Sequence, residues 1–164
     1  KVQEAVKKWT DLKKKYPNIN LHLIGKLQTN KVKLAVKLFD YIHSLDNKKL
    51  AKKISDEQKK INRNIKIFIQ INIGEENQKS GVEFNSFEKL YDYCINELNL
   101  DVIGLMCIPP NNNSPEKYFS KMFEIKQRLK FKELSMGMSN DYLLAMQYGS
   151  TYLRIGSKIF GARN

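Results

Sequence analysis

Ile65–Ile73 is nearly continuous in β-branched and aromatic residues, the pattern of a strand buried on both faces within a parallel sheet. Parallel strands need a crossover between neighbours, usually a helix, and the chain supplies one on either side. Upstream, Val2, Ala5, Val6, Trp9 and Leu12 recur at helical spacing over Lys1–Lys15, and Tyr16-Pro17-Asn18 ends that helix. A strand over Leu21–Ile24, a helix over Leu27–Leu38, a strand over Tyr41–Leu45 and a lysine-rich helix over Lys48–Lys60, capped by Asp46 or Asn47, follow in turn. Downstream, a helix over Phe84–Leu98 leads to a strand over Asp101–Cys107. The prolines of the Ile108–Pro115 loop then delay the amphipathic helix Pro115–Leu129. With two C-terminal strands added, the pattern predicts an α/β fold of six parallel strands. At 164 residues, 41% apolar and 28% charged, the chain is sized for one domain with a sizeable core.

The C-terminal stretch Leu134–Arg163 contains two successive strand-to-helix turns. Leu134–Met136 is read as a strand, Gly137 as the turn and Ser139 as the N-cap of a helix over Asp141–Tyr148, closed by Gly149. Thr151–Ile155 is the last strand; Gly156 breaks it, and Ser157 is expected to cap a stub helix, Lys158–Gly161. Two helix N-termini side by side would offer backbone N–H groups to one anion, as in a phosphate seat. Glycine and serine also occupy such turns for geometry alone, so either turn taken singly keeps both readings open. Arg154 adds weight to the seat. By alternation it shares a strand face with Tyr152 and Gly156, and a permanent cation at a strand end requires an acceptor. The loop Gly74–Gly81 also follows a strand end; Asn72 is placed to enter the mouth, while Lys79 reads either as an anion contact or as a solvent-facing charge beside turn residues.

The net charge of +12 and pI near 9.6 permit attraction to anions, but the basic residues are scattered over many segments. There is no compact basic tract or aromatic RNA-reading motif, so no nucleic-acid partner is expected. No apolar run reaches membrane-spanning length, so no membrane partner is expected either. Cys94 and Cys107 lack metal-ligand spacing and read as reduced core thiols of a cytoplasmic protein. His22 and His43 read as packed or surface residues rather than metal ligands.

Five spaced segments resemble one family in order: VQEA at Val2–Ala5, HLIGKLQTNKVK at His22–Lys33, QINIGEENQKSGV at Gln70–Val82, GLMCIPP at Gly104–Pro110 and the closing SMGMSNDYLLAMQYGSTYLRIGSKIFGAR. The chain is similar to the YggS-like pyridoxal phosphate homeostasis proteins, whose fold is that of the alanine racemase N-terminal domain. The resemblance implies a TIM-barrel-like (β/α) fold with a pyridoxal 5′-phosphate site at its mouth. It also implies roles: Ser139 with the backbone of Gly156 and Ser157 on the phosphate, Met138 beside it, and Arg154 facing the pyridine nitrogen. In the family a lysine at the end of the first strand holds the aldehyde, and a Gly-Glu-Asn segment follows the second. This sequence starts after both. The expectation is an incomplete barrel, about six strands of eight with the first two missing, within a fragment of a longer polypeptide. Its edge strands Leu21–Ile24 and Thr151–Ile155 are expected to lack a second neighbour.

Three functions follow as expectations. The first is a cytoplasmic carrier that keeps pyridoxal phosphate in balance and passes it to apoenzymes that require it, monomeric when full length and without turnover of its own. The second is an amino-acid racemase. The third is a basic module associating with RNA or membranes, for which charge alone speaks.

Overall fold

The computed structural model describes residues 2–111 and 114–161; Lys1, Asn112, Asn113 and residues 162–164 lie outside these, and Arg163 of the closing motif with them. Helix α1 (Val2–Lys15) is followed by β1 (His22–Leu23), α2 (Val32–Leu38), β2 (Tyr41–Leu45), α3 (Lys48–Lys60) and β3 (Lys66–Asn72). Next come β4 (Val82–Glu83), α4 (Phe87–Asp92), β5 (Asp101–Cys107), α5 (Glu116–Leu129), β6 (Glu133–Met138), α6 (Tyr142–Gln147), β7 (Tyr152–Arg154) and α7 (Ser157–Phe160). The sheet order is β1-β2-β3-β5-β6-β7 with every pairing parallel, and β4 adds two residues beside the end of β3. β1 and β7 end the path with one bonded neighbour each, so the expected curled, incomplete barrel is what the strands form.

The central strand alternates more strictly than its density of apolar residues suggests. Ile67, Ile69 and Ile71 enter the continuous core together with Ile54 of α3, Phe87 of α4 and Leu105 of β5. Burial of each such isoleucine contributes about 2 kcal/mol. Phe68 and Met106 are equally buried but stand apart from that core, on the concave face of the sheet. There His43 stacks on Phe68 with ring centroids 4.1 Å apart, and Tyr152 of β7 lies 5.7 Å from His22 of β1 and 5.9 Å from Tyr41 of β2. The two ends of the sheet touch through side chains where no backbone pairing joins them.

At the amino ends of the strands Asp40 acts as a clasp. It accepts hydrogen bonds from Lys13 at 2.6 and 2.7 Å, from Arg63 at 2.8 Å and from the Leu21 amide at 2.8 Å. Arg63 also donates to the carbonyls of Val36 and Lys37 at the end of α2. Burial pushes the Asp40 carboxyl up, but the Lys13 hydrogen bond, the Leu21 amide and the charges of Lys13 and Arg63 outweigh it and lower its pKa.

Two expected helices are not uniform. The segment before α2 is a separate 3₁₀ turn, Thr29–Lys31. The segment Phe84–Leu98 opens as a 3₁₀ turn at Phe84–Ser86, runs through α4 and widens into a π turn over Tyr93–Glu97, where the Leu98 amide donates to the Tyr93 carbonyl at 3.3 Å. Asn99, at φ 53°, then leaves the helix.

Candidate functional site

Because all the strands run the same way, their carboxyl ends share one rim, and the site is built where β6 and β7 reach it. Gly137 brings β6 to that rim at φ 90°; a Cβ there would stand 2.6 Å from the Cβ of Ala145 in α6. The carboxylate of Asp141 accepts from the Met138 amide at 2.6 Å, and Asp141 occupies the N-cap position of α6. The sequence expectation that Ser139 caps this helix is corrected: the Asp141 turn starts α6 two residues later and leaves the Ser139 hydroxyl unused by it. Instead Ser139 Oγ accepts from the amides of Gly156 at 3.2 Å and Lys158 at 3.5 Å. Ser139 joins the two turns that the sequence presents separately. Ser157 is the first residue of α7, with Gly156 in the capping position, so the expected Ser157 cap shifts by one. No atom lies within 4 Å of where a Gly156 Cβ would stand, so that position opens onto free space.

That space is a cleft of about 780 Å³, lined by Met138, Ser139, Arg154, Gly156 and Ser157 together with the two histidines His22 and His43. Asn72 is not among its lining residues. Its side-chain amide donates to the Glu76 carbonyl at 2.9 Å and its Oδ1 accepts from the Glu76 amide at 3.3 Å, so the residue ties down its own loop. Lys79 is paired with Glu76 in the same loop, which favours the structural reading of that lysine.

Arg154 is half-buried at the end of β7. Its Nη1 donates to Ser135 Oγ at 2.9 Å and its Nη2 to the Cys107 carbonyl at 2.9 Å. A guanidinium has five N–H donors, and among the described residues none of the rest meets a carboxylate. Burial lowers the pKa of Arg154, against the nearby Cys107 and Asp141, which raise it.

The histidines are the residues that sequence reasoning missed. His22 Nδ1 lies 3.0 Å from His43 Nε2, and His43 Nδ1 lies 2.9 Å from Ser135 Oγ, so the two rings continue the line that starts at Arg154. Burial, then the charges of His22 and Arg154, pull His43 down to about 3. Burial also lowers His22, against Asp40, which raises it. A usable signal exists in the sequence: aligning the strands around His22 and His43 puts both on the concave parity. Cys94 and Cys107 are both free, and burial pushes each thiol up to about 12. Among the described residues there is no cluster of His, Cys, Asp or Glu able to hold a metal ion, and no helix is long and apolar enough to cross a membrane.

An open, parallel (β/α) barrel with a cleft beside the turns after its last strands has the architecture of the barrel class that binds phosphorylated ligands at that end. The chain belongs to the alanine racemase N-terminal domain family, whose model matches residues 1–164. It is 40% identical to the pyridoxal phosphate homeostasis protein of Aquifex aeolicus, over 99% of this chain and 75% of that one. Among solved structures it resembles PipY of Synechococcus elongatus PCC7942 with pyridoxal phosphate bound, at 32% identity and a TM-score of 0.84, covering 98% of this chain and 79% of PipY. The same protein without the cofactor gives a TM-score of 0.86 at the same identity and coverage. These relatives favour the pyridoxal phosphate homeostasis expectation over the racemase alternative.

Proposed function

We propose that this chain binds pyridoxal 5′-phosphate in the cleft and serves in intracellular pyridoxal phosphate homeostasis. The observation that carries this is Arg154, a half-buried guanidinium with donors to spare at the wall of a cleft that no carboxylate of the described residues lines. The residues present fit the group. A cleft of about 780 Å³ suits a small cofactor. The amides of Gly156 and Lys158 already converge on one oxygen, that of Ser139, with the Ser157 amide between them in the chain. On this reading Ser139, Gly156 and Ser157 hold the phosphate, Met138 borders it and Arg154 faces the ring nitrogen.

Pyridoxal phosphate supplies an amine-reactive aldehyde and an electron-withdrawing ring. Arg154 limits the second of these, because it donates a hydrogen bond but does not give up its proton, and so keeps the ring nitrogen unprotonated. Such a site suits holding the cofactor more than turning over a substrate. The recipients are then apoenzymes that require the cofactor, the compartment is the cytoplasm, where buried Cys94 and Cys107 stay reduced, and the full-length protein is a monomer.

Equilibrium titration of the chain with pyridoxal phosphate, with pyridoxal as comparator, tests the reading. The phosphorylated form is expected to bind more tightly, and Ser139→Ala to weaken it by about 1.5–3 kcal/mol, the range of a charge-assisted hydrogen bond. Equal affinity for the two forms, unchanged in Ser139→Ala, would refute the seat.

A further inference from the structure

We propose that Arg154, Ser135, His43 and His22 form one hydrogen-bond chain of fixed direction, which presents His22 to the cleft as a neutral Nε2–H donor for an oxygen acceptor on the bound ligand. The ligand half of this rests on the function proposed above; the direction of the chain does not.

One end of the chain has a fixed role. A guanidinium only donates, so the bond from Arg154 Nη1 makes Ser135 Oγ an acceptor there. Ser135 is fully buried, and among the described residues its one hydroxyl proton has a single other partner in reach, His43 Nδ1 at 2.9 Å. If that proton goes to His43 Nδ1, the His43 ring carries its own proton on Nε2 and donates it to His22 Nδ1 at 3.0 Å. His22 then carries its proton on Nε2, the ring nitrogen not engaged by His43, and His22 lines the cleft. Every proton along the line is used. The opposite direction has His22 donate to His43 and His43 donate to Ser135, so that Ser135 accepts twice and its own proton is left buried without an acceptor. An unsatisfied buried donor costs about 1–3 kcal/mol, enough to decide between the two.

The packing holds the rings to these roles. His22 stacks on Tyr41 at 4.0 Å and 12°, and His43 stacks on Phe68 at 16°. The charged or titratable groups facing the pair are Asp40 and Tyr41 from the β2 side and Tyr152 and Arg154 from β7. Asp40, engaged by Lys13, Arg63 and the Leu21 amide, still favours a charged His22, but burial of the ring outweighs it. Ser135 and His43 are positioning residues in this arrangement, and His22 is the residue that meets the ligand.

Long-range ¹H–¹⁵N spectra of the chain with ¹⁵N-labelled histidine at pH 7 read the direction without any variant or ligand. Both rings are expected to be neutral and protonated at Nε2; an Nδ1–H tautomer or an imidazolium at either ring overturns the proposal. In folded Ser135→Ala, His43 Nδ1 loses its donor and a mixture of tautomers is expected. Two unchanged Nε2–H rings in that variant would show that Arg154 does not set the direction. For the ligand half, His22→Phe keeps the ring on Tyr41 and removes the N–H. It is expected to bind pyridoxal phosphate roughly three- to tenfold more weakly while keeping the preference over pyridoxal, as loss of one hydrogen bond predicts. Wild-type affinity in His22→Phe overturns the ligand half. No binding by the wild-type chain would defeat the proposed function instead, and the spectra would still decide the direction of the chain.

Discussion

His43 is a residue whose protonation this fold opposes. In the folded chain it stays neutral down to about 3, whereas the ordinary value is 6.5. Between those limits the unfolded chain binds the extra proton, so stability rises with pH. The contribution is complete above the ordinary value and is lost as pH falls toward 3. Denaturant unfolding measured between pH 6 and pH 5, above the range in which most carboxylates titrate, should show stability falling by up to about 1.4 kcal/mol per unit from His43, the slope for one proton, with a further fall in the same direction from His22, which burial also lowers. His43→Gln should flatten that slope, and a variant as steep as the wild type would place the titration elsewhere. The sequence made some of these site residues legible and hid others for one physical reason. Met138, Ser139, Arg154, Gly156 and Ser157 lie in one short stretch, where local turn chemistry speaks directly. His43 and Ser135 are 92 positions apart and meet only through strand register, which no local pattern encodes.

The unit formed by β6, its turn and α6 shows how little space separates a working element from a broken one. A Cβ on Gly137 would stand 2.6 Å from Ala145 Cβ, 3.1 Å from Leu153 Cδ2 and 3.2 Å from Tyr142 Cα, at a φ of 90° that L side chains rarely adopt. Gly137→Ala is therefore expected to cost about 2–3 kcal/mol, by combined overpacking and backbone strain, in a chemical denaturation experiment. The shift of α6 away from β6 should also separate Ser139 from the Gly156 amide, so pyridoxal phosphate affinity should fall with stability. At this scale the sequence showed the six strands of the sheet path because their apolar runs are dense and bounded by turn residues. It did not show β4, whose two residues are strand only because β3 pairs with them, nor the π turn over Tyr93–Glu97, which has no distinctive composition. Ser139 does not cap α6 because one more turn precedes that helix, with Asp141 in the capping position and its carboxylate turned back onto the Met138 amide.

Across the whole molecule, the Asp40 clasp lies at the amino ends of the strands and the cleft at their carboxyl ends. Asp40→Asn removes the charge that Lys13 and Arg63 share, and is expected to lower unfolding stability by about 2 kcal/mol, the scale of a charged hydrogen bond. Isothermal titration of the same variant should return the wild-type affinity for pyridoxal phosphate; a parallel loss of binding would mean that the two ends are coupled. With a net charge of +12, the chain repels itself while drawing small anions from every direction. The uniform direction of the strands has a longer consequence. A lineage built this way can rewrite the loops of one pole and acquire new chemistry there, while it inherits its durability from the other.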